Sequence, residues 1–211
     1  MCPIHDGNRV QDALSESRDD WNMKNPMKKS EILEWSHKYD EQHPWWVKKE
    51  KELGDRLREK GELTKEDLIE IVEWKFKTTP RRLKINLGRV RKNEDDVIRN
   101  ISSSVLRLPS KYDYNKIERL CRIKGVGSAT ASVILTFYDP KNYGVFDIHV
   151  WREPFGKDSR PLYNPRDCLI LLSELRELAK KHSLDVRVVE KALFKKNLDR
   201  DEPIHRKPRP R

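Results

Sequence analysis

Apolar residues recur along most of the chain at three- and four-residue intervals and nowhere alternate at period two, which predicts an all-α fold. The first helical pattern starts at Ser30, a suitable N-cap with Leu33 and Trp35 behind it, breaks near Pro44, resumes over residues 46–58 and closes at Gly61. Thr64, Lys65, Glu66 and Asp67 read as a capping box, and Leu68, Ile69, Ile71, Val72 and Phe76 form one stripe at helical spacing behind it. Trp74 falls about 60° outside that stripe, at about 100° per residue, which suits either a cleft wall or a partly buried core position. Pro80 separates this helix from one over residues 82–91, and residues 94–106 follow as an amphipathic helix with Val97, Ile98, Ile101 and Val105 inward. Further helices are expected over residues 115–121, Ser128–Tyr138, a short stretch after Asp147, residues 165–182 and residues 185–197. No repeat at solenoid period is present.

The ends differ from the middle. Residues 1–28 are polar and weakly periodic and read as an arm, while residues 199–211, ending IHRKPRPR, form a basic, proline-broken tail. Such a tail either adds sequence-independent attraction to phosphates or is merely solvated.

Charge narrows the choice of partner. The chain of 211 residues has 45 Lys and Arg against 35 Asp and Glu, a formal +10, so a polyanion fits better than a cationic or apolar surface, and nucleic acid leads. Lysine in excess for solubility is the plainer alternative. With 38% charged residues and glutamine confined to Gln11 and Gln42, the composition also resembles that of heat-adapted intracellular proteins. Cys2, Cys121 and Cys168 are odd in number and widely spaced, which argues against a disulfide framework. There is no CxxC pair and no histidine pair at ligand spacing, so neither a metal site nor a cofactor is expected. The longest apolar segment, residues 131–137, fits one buried helix, and the first 20 residues lack the apolar core of a signal peptide; an intracellular protein with no membrane partner is expected.

The candidate chemistry lies in residues 114–152. Ile117, Leu120 and Cys121 mark a short helix, Ile123-Lys124-Gly125-Val126-Gly127 a tight hairpin, and Ser128 the cap of a second helix carrying Val133, Ile134 and Phe137. Glycine lets the backbone turn and lets another backbone come close. The N–H groups of Gly127, Ser128 and Ala129 then form an anion site suited to a DNA phosphate, with Val126 as the hairpin's anchor and Lys124 adding charge. After Pro140, Asp147 sits between Gly144-Val145-Phe146 and Ile148-His149-Val150-Trp151-Arg152, where it serves as N-cap of the next short helix; donors and dipole there keep it ionised.

These residues together resemble the helix-hairpin-helix DNA glycosylase superfamily, the group of endonuclease III and the adenine and alkyl-adenine glycosylases. The family pattern is an apolar helix, L-x-G-V-G, a K-T-A-like opening of the second helix, and V-D-x-H-V-x-R after a fixed gap. The chain has Ile123 to Gly127, then Ser128-Ala129-Thr130-Ala131, then Phe146-Asp147-Ile148-His149-Val150-Trp151-Arg152, with 18 residues from position 129 to 147. The match covers about 40 residues, and the helical flanks extend it compatibly over most of residues 30–198. The resemblance implies a glycosylase domain over residues 29–198, with a middle lobe near 62–140 and a second lobe from 29–61 and 141–198 around a DNA-binding cleft. It implies a monomer acting on double-stranded DNA that contains a damaged or mismatched base. Two departures matter: Ala129 stands where bifunctional members have a Schiff-base lysine, and the four-cysteine cluster of some relatives is missing.

The function implied is base-excision repair by a monofunctional glycosylase that flips a nucleotide from the duplex and hydrolyses its N-glycosidic bond. Asp147 is the catalytic candidate, stabilising an oxocarbenium-like sugar and orienting water. Lys124, Gly125, Val126, Gly127, Ser128, Ala129, Thr130 and Arg152 are the DNA-binding candidates, with His149 structural. Trp74, Lys75, Tyr138 and Trp151 are base-pocket candidates, with Arg81 and Arg82 nearby, and Trp45, Trp46 and Tyr143 are further aromatics able to stack or wedge. The alternatives are a non-catalytic DNA-binding module and a bifunctional glycosylase with a relocated lysine, for which Lys124 is a weak candidate.

Overall fold

The computed structural model describes residues 27–205, and of the predicted arm and tail residues 1–26 and 206–211 lie outside the described part. Among the described residues the secondary structure is entirely helical: α1 (Lys29–Gln42), α2 (Pro44–Lys60), α3 (Lys65–Phe76), α4 (Pro80–Val90), α5 (Asp95–Leu106), a 3-10 turn (Ser110–Tyr112), α6 (Asp113–Leu120), α7 (Ser128–Tyr138), α8 (Ile148–Phe155), α9 (Pro165–His182) and α10 (Val186–His205). The all-α expectation holds.

Element boundaries follow local chemistry. At the start of α3 the Thr64 hydroxyl accepts from Asp67 N–H at 3.1 Å while the Asp67 carboxylate accepts from Thr64 N–H, so the capping box is formed. Both α2 and α4 begin two residues earlier than the pattern suggests, because Pro44 and Pro80 occupy the first turn, where a missing N–H costs nothing. Gly61, at φ 70°, ends α2 in the left-handed conformation. Ser30 is not the cap of α1: the helix starts at Lys29, and Ile32 donates to Lys28 O. Leu33 is exposed. Nor does Ser128 cap α7. Gly127 holds that position and Ser128 is already helical.

The inner face of α5 is rotated from the expected one. Ser102 is fully buried because its hydroxyl accepts from Leu63 N–H at 2.8 Å, so Ile98, Ser102 and Val105 point inward and Val97 is 44% exposed. At the other end of the chain α10 runs on to His205, past the expected end at Asn197 and into the stretch read as tail. Asp199, bound by Lys195 and by Lys38 of α1, fixes its last turns.

One continuous apolar core runs from Met27 to Leu193. At its centre is α7, where Thr130 to Phe137 are all buried and which packs on α2, α3, α6 and α9. The first and last helices among the described residues, α1 and α10, pack together, and α10 also covers α8. The consequence for the site is that α3, α7 and the start of α8 meet, although they lie far apart in sequence.

Candidate functional site around Asp147

Asp147 is the N-cap of α8, with φ −138° and ψ 154°, and one carboxylate oxygen accepts from His149 N–H at 3.1 Å. Its other oxygen faces Lys75 Nζ at 3.3 Å, and the same ammonium donates to Phe146 O at 3.2 Å. Lys75 comes from the last turn of α3, its side chain 10% exposed, and that of Asp147 is 26% exposed. Burial works to raise the carboxyl pKa. The Lys75 charge, the His149 backbone N–H and the His149 ring outweigh it, so Asp147 stays below the usual carboxylate range.

The approach of residues 144–147 to α7 is fixed by Ser132. Its hydroxyl donates to Ala129 O at 2.9 Å and accepts from Phe146 N–H at 2.8 Å. Position 129 is thus one hydrogen-bonded link from the residue beside Asp147.

Tyr163 completes the surroundings, and nothing in the sequence singles it out. It lies in the loop between α8 and α9 with φ 58°, a left-handed backbone that a bulky residue adopts only under constraint. Its ring lies against Phe146, centroids 5.1 Å apart, and is 43% exposed, while its neighbour Leu162 is 84% exposed. Burial and then the Asp147 charge push the phenol pKa up, with Arg82 and Arg152 opposing. The left-handed backbone is the signal, and it is visible only in three dimensions.

The hairpin between α6 and α7 is fastened to α4. Gly125, at φ 91°, has no room for a Cβ, which would lie 2.8 Å from Val90 Cγ2 and 3.0 Å from Asn86 O. Asn93 clamps the neighbouring residue, donating to Lys124 O at 2.9 Å and accepting from Lys124 N–H at 3.0 Å. Val126 is buried as the anchor, Lys124 and Gly127 are exposed, and Ser128 and Thr130 are buried. A Cβ on Gly127 would meet nothing within 4 Å, and its φ of −106° suits any residue. At the start of α7 Thr130 N–H already donates to Gly127 O at 2.9 Å, which leaves only the N–H groups before it without an acceptor inside the helix.

Three of the six aromatic candidates are buried. Trp74 is 4% exposed: its indole N–H donates to Trp46 O at 2.9 Å, that of Trp46 returns a bond to Trp74 O at 3.1 Å, and its ring meets Phe137 edge-on. Trp151 is 7% exposed, packs on Phe155 and donates to Ser159 Oγ at 2.9 Å. Both indoles find acceptors inside, so neither needs the surface. Tyr143 is buried, donating to Asp113 and accepting from Lys116, each at 2.5 Å. Tyr138 lines a pocket with Leu135 and Lys116 that Asp147 does not border. Trp45 stays partly exposed under Lys77, 4.0 Å from the ring centre. His149 ties α8 to α10 through Asn197, at 3.0 Å.

Among the described residues no group of three or more His, Cys, Asp or Glu could hold a metal ion, and no helix is long and apolar enough to cross a membrane. No family model, curated protein or solved structure matches the chain.

Proposed function

We propose that the protein is a DNA glycosylase of base-excision repair that acts on a flipped, damaged or mispaired base in duplex DNA. The observation that carries the reading is Asp147: a carboxylate kept ionised at a helix N-terminus, still reachable from solvent, with an ammonium 3.3 Å away. The resemblance of residues 123–152 to helix-hairpin-helix glycosylases and the open Gly127 beside the first N–H groups of α7 support it. In this reading the hairpin holds a phosphate of the duplex. The extruded base lies against the exposed ring of Tyr163, and Leu162 fills the space it left in the stack. As the base departs, Asp147 stabilises the positive sugar carbon and orients the attacking water, accepting its proton. Lys75 holds the carboxylate in place and ionised.

The same pair favours a second reading, a bifunctional enzyme. Here Lys75, once it has given up a proton, attacks the sugar carbon C1′ in place of water and displaces the base; the ring then opens at its C1′–O4′ bond to give a Schiff base, and the strand breaks by β-elimination of the 3′ phosphate. Lys75 rather than Lys124 is then the relocated amine, since Lys124 lies in the hairpin, bound to Asn93 through its backbone.

The test is base release from duplexes each carrying one uracil, hypoxanthine, 8-oxoguanine, alkyl-purine or mismatch, with strand breaks scored before and after hot alkali. Breaks on one lesion only after alkali indicate hydrolysis, and breaks without alkali indicate the lysine route. No release from any duplex sinks both. Asp147→Asn keeps a competent N-cap and should lower base release by about 10²-fold or more with unchanged folding.

A further inference from the structure

The charge of the chain is unevenly placed. Residues 74–93 hold eight Lys and Arg and no Asp or Glu. Within and just after α4, Arg81, Arg82, Lys84, Arg89, Arg91 and Lys92 are all exposed, and none forms an ion pair among the described residues. Other cations do sit against carboxylates, as Arg56 does on Glu70 and Arg99 on Asp95.

Two further features of α4 have no use within the fold. Gly88 lies inside the helix, where glycine costs stability, yet a Cβ there would meet nothing within 4 Å. Ile85 is 46% exposed, with Arg81 and Arg82 one turn before it and Gly88 and Arg89 one turn after. A face that were merely solvated would need neither an apolar residue ringed by cations nor a gap in its side chains. A polyanion with apolar sugars between its charges would use both.

The position of α4 says which polyanion. Its C-terminal end carries the hairpin, through Asn93 and the Gly125 contact, and its N-terminal end at Pro80 follows directly on α3, whose last turn places Lys75 against Asp147. The helix therefore spans from the phosphate-binding turn to the mouth of the site, about 16 Å for eleven residues. We propose that the exposed face of α4 is the main contact with the backbone of double-stranded DNA, with Gly88 the point where the strand comes closest and Ile85 packed on a deoxyribose. This rests on the DNA-glycosylase reading for the partner and extends it to a surface outside the hairpin.

The experiment uses the full chain and an undamaged duplex, read by fluorescence anisotropy over a series of salt concentrations. A triple variant, Arg81→Ala with Arg89→Ala and Lys92→Ala, should weaken binding by about 10²-fold or more and flatten the logarithmic salt slope by about two to three. Gly88→Leu should weaken binding roughly tenfold, on the scale of one lost close contact, with an equal or higher melting temperature. Wild-type binding with both variants within twofold of it would overturn the α4 surface and leave the enzyme reading standing. A wild type with no salt-dependent affinity for DNA would defeat the surface and the enzyme reading together. Loss of affinity for anionic lipid vesicles, with DNA binding unchanged, would reassign the face to a membrane.

Discussion

At Asp147 two opposing influences meet, and the pH dependence of the reaction shows which wins. The carboxyl is depressed because Lys75 and the His149 N–H outweigh burial. A reaction that needs the carboxylate therefore keeps its rate as pH falls, down to below the usual Asp value of about 3.9. Lys75→Ala removes the principal counter-charge and leaves burial, so the acid limb of the base-release profile should move to higher pH, while the plateau at neutral pH falls less if Lys75 only positions. If Lys75 is the nucleophile, the variant instead loses borohydride-trappable adduct and alkali-independent breaks altogether. An unchanged profile would mean that the pair does not act on catalysis. Asp147 itself was legible in the sequence, because a carboxylate between two apolar runs has few uses beyond a helix cap or a site. Lys75 appeared there as a base-pocket candidate beside Trp74 and not as the partner of Asp147, since that pairing spans 72 positions. Trp74, Trp151 and Tyr143 lie buried for a shared reason: indole and phenol groups that find an acceptor inside are free to be buried, and no spacing reveals where that acceptor lies.

At the scale of the elements, two glycines of one hairpin should respond oppositely to substitution. Gly125 is required by the fold, so Gly125→Ala forces both a left-handed residue and a Cβ against Val90, and should cost about 1–3 kcal/mol in thermal unfolding. Gly127 is not, and Gly127→Ser supplies a better N-cap for α7, leaving the melting temperature equal or higher. The proposed phosphate contact nevertheless predicts that Gly127→Ser weakens DNA binding. A serine that left affinity untouched would remove the hairpin from the interface. Spacing alone predicted this turn and most helices, α7 with its cap displaced by one residue, because caps, prolines and stripes act locally. It missed the rotated face of α5, because a buried serine bonded to Leu63 N–H looks in sequence like an ordinary polar position. It also missed the extension of α10, because the ion pairs at Asp199 involve another helix.

Across the whole molecule, the joining of α10 to α1 and α2 depends on one buried cation. Arg187 of α10 places two nitrogens on the Glu50 carboxylate of α2, at 2.8 and 2.6 Å, bonds Glu190, and lies over the rings of Tyr39 and Trp74. Burial disfavours the charge of Glu50, but Arg187 and then Lys191 reverse this and hold its pKa below the ordinary value. A carboxyl depressed on folding contributes stability above its unfolded pKa, about 4.3, and that contribution is lost as pH falls through the folded value. The wild type should therefore lose stability in acid. Arg187→Met keeps much of the volume but leaves Glu50 and Glu190 buried without their partner, which should cost about 3–5 kcal/mol at neutral pH. In that variant burial is opposed mainly by Lys191, so Glu50 protonates more readily than in the wild type. Acid then relieves the variant while it penalises the wild type, and the gap between their denaturation midpoints should be widest near pH 7 and close toward pH 4, near the unfolded Glu value of about 4.3. A gap constant across that range would mean that Arg187 acts by packing against Tyr39 and Trp74 and not by its charge.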